Sequence, residues 1–117
     1  MAKEFTIDEI GGNPKAAVLR VTGRLDAKNA QVLFRKCRDF LEAKQIRVIL
    51  NLADVSFVAS SGVGTLLALT EEFKDAGGDI HLVAPSNAVK SVIDLLNLTQ
   101  FLTIGESEAK VLQAIGA

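Results

Sequence analysis

The chain has 117 residues, a length that suits one domain over residues 1–117 with a core of its own. Apolar residues make up 49% and charged residues 23%, a packed globular composition and not a disordered one. The net charge of −1, with both signs mixed along the chain, excludes the basic block that a nucleic-acid partner would need.

The lone cysteine, Cys37, excludes an intramolecular disulfide and any multi-cysteine metal site. Trp and Tyr are absent, which weighs against base stacking and Trp-anchored interfaces. Residues 1–6 show no apolar signal region, and no stretch approaches the roughly 20 apolar residues of a membrane helix. A cytoplasmic protein without membrane insertion is expected. With no heptad repeat, a monomer or weak dimer is expected.

In chain order, residues 5–10 alternate as a first strand, Gly11-Gly12-Asn13-Pro14 signals a turn, and residues 17–22 form a second strand. The short link predicts an antiparallel hairpin. Residues 23–26 are expected as a loop, with Asn29 capping the first helix. Ala30, Leu33, Phe34, Cys37 and Leu41 share one face of that helix, which makes Cys37 a small buried hydrophobe. Residues 46–52 are nearly all apolar, as in a central strand covered on both faces. A second helix follows Ser61, with Val63, Leu66, Leu67, Thr70 and Phe73 inward and Gly77-Gly78 as its stop. Residues 79–84 form a fourth strand, and Pro85-Ser86-Asn87 opens a third helix with Val89, Val92, Ile93 and Leu96 inward. Residues 102–104 form a short last strand, and Ser107 caps a final helix carrying Val111, Leu112 and Ile115. The order ββαβαβαβα predicts an α/β fold: a small mixed sheet, a leading antiparallel hairpin and then parallel strands, packed against about four helices.

Catalytic signals are sparse. The one histidine, His81, sits mid-strand, and no Gly-x-Ser-x-Gly elbow occurs. One His and one Cys do not build a zinc centre, and no Walker A sequence is present. Gly62-Val63-Gly64 is half of a dinucleotide fingerprint, but Leu67 holds the third glycine position. No cofactor, no metal and no catalytic residue are expected. Glu71-Glu72 reads as a solvated helix-surface pair.

The informative stretch is residues 51–67, where Ser60 and Ser61 open an amphipathic helix and two glycines fall in its first turn. One reading makes a serine the N-cap. The other makes it an exposed hydroxyl on a small-residue platform, able to carry a phosphate facing the free N–H groups and positive dipole end of the helix.

This stretch resembles the signature of STAS domains in their free-standing form as bacterial anti-sigma factor antagonists. There a strand ending in Asn-Leu or Asp-Leu leads to an apolar residue, Asp, Ser, Ser or Thr, Gly, an apolar residue and Gly. Val21-Thr22-Gly23-Arg24-Leu25-Asp26 resembles the family's Gly-Glu-Leu-Asp stretch, and the Leu98…Phe101 spacing agrees. The resemblance implies transcription regulation by partner switching, with no enzymatic activity. The unphosphorylated antagonist binds an anti-sigma factor that is also a serine kinase and so frees a sigma factor. Phosphorylation ends binding, and a serine phosphatase restores it.

Carried over by position, the phosphorylation site is Ser60, with Ser61 the second choice. Partner contacts fall on Gly23, Arg24, Leu25, Asp26, Ala59, Ser60, Ser61, Gly62, Val63 and Gly64. Asp26 also reads as a turn or cap carboxylate. Two positions depart from the family pattern: Ala59 where Asp is usual and Arg24 where Glu is common. The alternative implied role is a STAS subunit of a lipid-transport ABC system or a stress-signalling scaffold without a phospho-switch.

Overall fold

The computed structural model describes residues 4–11 and 15–116. In chain order it runs β1 (Thr6–Ile10), β2 (Ala17–Leu25), α1 (Ala27–Glu42), β3 (Arg47–Val58), α2 (Ser60–Asp75), β4 (Asp79–Val83), α3 (Asn87–Leu95), β5 (Thr103–Gly105) and α4 (Glu108–Ala114). The five strands form one sheet in the order β1-β2-β3-β4-β5. β1 and β2 pair antiparallel, and every later neighbour pairs parallel. This is the mixed sheet the strand–helix alternation implies. Of the expected hairpin turn, Gly12, Asn13 and Pro14 lie outside the described residues.

Alternation in the strands divides the interior in two. Leu19, Val21, Leu50, Leu52, Ile80 and Leu82 face a main core with Leu33 and Cys37 of α1, Leu66, Leu69 and Phe73 of α2, and Val89 and Ile93 of α3. Val18, Ile49 and Val83 point the other way and meet Val111 of α4. β3 is apolar almost without interruption because both of its faces are covered. Burial pushes the Cys37 thiol up to about 12, so it behaves as a core hydrophobe. Leu96, expected inward, is instead half exposed, because α3 ends at Leu95 and the chain turns through Asn97 at φ 57°.

Two boundaries differ from expectation, at the C-terminal ends of β2 and β3. β2 continues through Leu25, so residues 23–25 are strand and not loop. β3 continues to Val58, six residues beyond the expected end at Leu52. The pairing explains why the apolar pattern stops early. From Arg20↔Asn51 to Thr22↔Asp54, β2 advances two residues while β3 advances three. From Gly23↔Val55 to Arg24↔Phe57, β3 again spends one residue more. These two bulges break the alternation that marks a strand in sequence.

Neighbours satisfy the backbone groups freed at the bulges. The Asn51 side chain accepts from the Ala53 N–H at 3.0 Å. Ser86 donates its hydroxyl to the Val55 carbonyl at 2.6 Å, and its N–H reaches the Leu52 carbonyl at 3.2 Å. The same hydroxyl accepts from Val89 N–H as the N-cap of α3.

Asn51 also donates through Nδ2 to Glu108 at 2.7 Å, where Arg20 makes two further bonds of 3.0 and 3.1 Å. This cluster fastens the seven-residue α4 to the sheet. The Arg20 hydrogen bond holds the Glu108 carboxyl below the usual carboxylate range; partial burial opposes the shift, and the Asn51 bond adds to it. A lowered folded pKa gives stability that is present above the unfolded value of about 4.3 and lost as pH falls through the folded one. Thermal melts of wild type and Glu108→Gln from pH 7 to pH 3 are therefore expected to differ most near neutrality, wild type being more stable. The gap is expected to close toward the acid end. A gap independent of pH would contradict this.

Candidate functional site

The end of β2 and the start of α2 meet at one backbone group. The Leu25 carbonyl accepts from the Ala59 N–H at 3.0 Å. A Cβ built on Gly62 would lie 2.6 Å from that same carbonyl oxygen, 3.0 Å from Leu25 Cγ and 3.2 Å from Val58 Cγ1. Gly62 is therefore the residue that lets the first turn of α2 sit on the end of the sheet. Gly23, at φ 103°, does the same on the other side of β2, where a Cβ would lie 2.9 Å from Phe5 Cα. Both segments singled out in the sequence are thereby brought together.

Of the ten expected contact residues, Arg24, Ser60, Ser61 and Gly64 are exposed. Asp26 and Ala59 are half-buried, and Gly23, Leu25, Gly62 and Val63 are buried. The buried four shape the platform from below. Gly64 is different from Gly62: a Cβ there would meet nothing within 4 Å. No internal packing demands a glycine at that position, although it costs the helix about 1 kcal/mol against Ala.

The N-cap reading of the serines does not hold. Ala59 is the N-cap of α2 and supplies no side-chain bond, while Ser60 and Ser61 are the first two helical residues. α1, α3 and α4 are each capped by a side chain, from Asp26, Ser86 and Ser107 respectively. Of the two cap readings, Asp26 and not Asn29 caps α1; Asp26 accepts from Asn29 N–H at 3.0 Å, and Asn29 Nδ2 instead donates to the Arg24 carbonyl at 2.8 Å. The first intrahelical bond of α2 runs from Val63 N–H to the Ala59 carbonyl, and its first turn contains no acidic residue. The N–H groups of Ser60, Ser61 and Gly62 thus present the positive end of a 16-residue helix beside two exposed hydroxyls.

Surface concavities among the described residues lie elsewhere. A groove of about 390 Å³ between α1 and α2 is lined by Gln31, Phe34, Arg35, Arg38 and Thr65, among others. Two smaller ones lie beside Phe101 and Ile104. Ser60, Ser61, Gly64 and Arg24 are exposed together over the buried Gly62, Val63 and Leu25. His81 is in register with Ile49, whose side chain belongs to the α4 side of the sheet. Its Nδ1 lies 3.3 Å from Asp79 Oδ1 on the same strand. No hydrogen bond joins it to a serine among the described residues. No group of His, Cys, Asp and Glu suited to hold a metal occurs among the described residues. No helix among them is long and apolar enough to cross a membrane.

Sequence reasoning missed three residues. Asn51 and Ser86 hold the bulged end of β3, as described above. Phe57 is 38% exposed, and the Arg24 guanidinium lies over its ring at 4.1 Å from the centroid. A polar Asn inside an apolar strand, and an aromatic residue just before the serines, were the available signals.

The two glycines of α2 make opposite predictions in urea unfolding. Gly62→Ala is expected to lose about 1–3 kcal/mol, because the Leu25 carbonyl must move. Gly64→Ala is expected to gain about 0.5–1 kcal/mol, with no contact to disturb. Equal effects at both positions would contradict the assignment.

The family model described as "STAS domain" matches residues 7–111. A putative anti-sigma factor antagonist of Thermotoga maritima is 26% identical over 100 residues, covering 84% of this chain and 88% of that protein. The structure of the anti-sigma factor antagonist SpoIIAA in its unphosphorylated form superimposes with a TM-score of 0.77 at 23% identity, covering 96% of this chain and 98% of that one. The phosphorylated form of Bacillus SpoIIAA, a cell fate determinant, gives a TM-score of 0.73 at 22% identity, covering 94% and 99%. With the sheet order, the bulged third strand and the serine platform in place, the chain belongs to the STAS domain family.

Proposed function

We propose that this STAS chain is an anti-sigma factor antagonist switched by phosphorylation on Ser60. Its unphosphorylated form binds an anti-sigma factor that is also a serine kinase, and so releases a sigma factor. The kinase phosphorylates Ser60 and ends the complex, and a serine phosphatase resets it. The chain then acts as a regulatory binding protein and not as an enzyme, in the cytoplasm where its kinase has ATP.

One observation carries this reading: Ser60 is exposed at the N-terminus of the helix that lacks a side-chain cap. The antagonist named in Thermotoga maritima supports the role, and SpoIIAA, known in unphosphorylated and phosphorylated forms, supports the switch. A phosphate on Ser60 adds about −1.5 to −2 charges. The domain tolerates it, because the helix N-terminus faces it with N–H donors and positive dipole. Ala59 places no carboxylate beside it. A partner pressed onto the same surface must desolvate that charge, which is costly without a cation to pair it. The modification thereby stops binding without unfolding the antagonist. Arg24, Ser61 and Gly64 supply exposed contact around Ser60, with Asp26 and Ala59 at the edge and Gly23, Leu25, Gly62 and Val63 as the underlying form. The bare backbone at Gly64 lets a partner approach closely.

The test is a pull-down from the native lysate with ADP and magnesium, using wild-type, Ser60→Ala and Ser60→Glu baits read by mass spectrometry. Wild type and Ser60→Ala are expected to capture an ATP-binding anti-sigma factor that Ser60→Glu loses. Retention of the same transporter or scaffold proteins by all three baits would overturn the switch.

A further inference from the structure

We propose that Arg24 and Phe57 form a second contact of the Ser60 platform, a stacked guanidinium that receives a carboxylate from the bound anti-sigma factor. This rests on the proposed function and names the partner's chemistry at one point. Arg24 and Phe57 face each other in register at the ends of β2 and β3, immediately after the second bulge. Phe57 lies three residues before Ser60, and the next residue pair, Leu25 and Val58, leads directly into the Leu25–Ala59 bond under the platform. The contact is therefore continuous with the serine surface.

The charges point to an acidic partner group. Arg20 is paired with Glu108 and Arg38 with Glu72, but Arg24 has no carboxylate partner and its side chain donates no hydrogen bond among the described residues. Its guanidinium lies over the aromatic ring instead, 4.1 Å from the centroid. The nearest acid in sequence, Asp26, spends its Oδ1 on the α1 cap. Lys28, four residues after Arg24 in the first turn of α1, is a further exposed cation. The ring covers one face of the guanidinium and restrains it, leaving the planar edge free for a two-point bond to a carboxylate. Phe57 has no role in the core to justify an aromatic residue, being outside both apolar clusters. Arg is among the residue types on which binding energy concentrates at protein interfaces.

The probe is the purified anti-sigma factor that wild type captures. Its affinity is measured by titration calorimetry for wild type, Arg24→Glu, Arg24→Lys, Arg24→Gln, Phe57→Ala and Ser60→Glu, with melting temperatures as the folding control. Arg24→Glu is expected to weaken binding by tenfold or more and Phe57→Ala severalfold, with unchanged melting. Arg24→Lys is expected to fall between Arg24→Glu and wild type, since it keeps the charge but not the fork. Wild-type affinity is expected to drop as salt rises, with a shallower slope in Arg24→Gln. If Ser60→Glu abolishes binding while Arg24→Glu and Phe57→Ala bind as wild type, this contact is overturned and the phospho-switch stands. If wild type binds no anti-sigma factor, both are overturned.

Discussion

The site depends on one carbonyl. Leu25 O, at the last residue of β2, receives the Ala59 N–H and lies where a Cβ on Gly62 would intrude. That single approach fixes the distance between a parallel strand end and a helix start. It presents Arg24 above and buries Leu25 below, and it sets Ser60 on the outward side of the first helical turn. The bulges of β3 are part of the same constraint. A regular strand would bring alternating residues to the sheet end in one fixed order. Two extra residues in β3 re-aim the chain into α2, and Asn51 and Ser86 satisfy the backbone groups that the distortion frees.

The energetic character of the platform follows. α1, α3 and α4 each have a serine or aspartate cap, so the missing cap on α2 is local to the place where serines are most abundant. A serine at the N-cap would turn its oxygen toward the backbone N–H groups and bond them. Shifting both serines one and two places into the helix leaves their hydroxyls outward and the N–H donors without a side-chain acceptor. The helix forgoes about 1 kcal/mol of capping and keeps an electrostatic environment suited to an anion. Gly64 belongs to the same pattern, since it weakens the helix where nothing inside the molecule asks for it.

Much of the fold was legible because it rests on periodicity. The 3.6-residue stripe of α1, the near-continuous run of β3 up to Leu52, and the Gly77-Gly78 stop, seen as a bond from Gly78 N–H to the Phe73 carbonyl, are all local signals. The β3 extension was illegible because bulges erase alternation, and residues 53–58 carry Asp, Ser and an exposed Phe. The cap of α1 stayed open between Asp26 and Asn29, which are equally good cap types, and only geometry decides for Asp26. At the site, the motif marked Ser60 and its neighbours, but the sequence did not separate residues that face out from those that shape the surface. Gly62 and Gly64 look alike in the chain. One meets a carbonyl and the other meets nothing, a distinction that arises from β2, some 40 residues away.

The central claim is that the platform accepts a phosphate on Ser60 while the fold beneath it stays as it is. Two-dimensional ¹H–¹⁵N spectra of the chain before and after phosphorylation on Ser60 test this most directly. The account predicts shift changes confined to residues 23–26 and 57–65, an unchanged melting temperature, and loss of anti-sigma factor binding in the same sample. Changes spread through β3, β4 and α3, or a melting temperature lowered by many degrees, would contradict it.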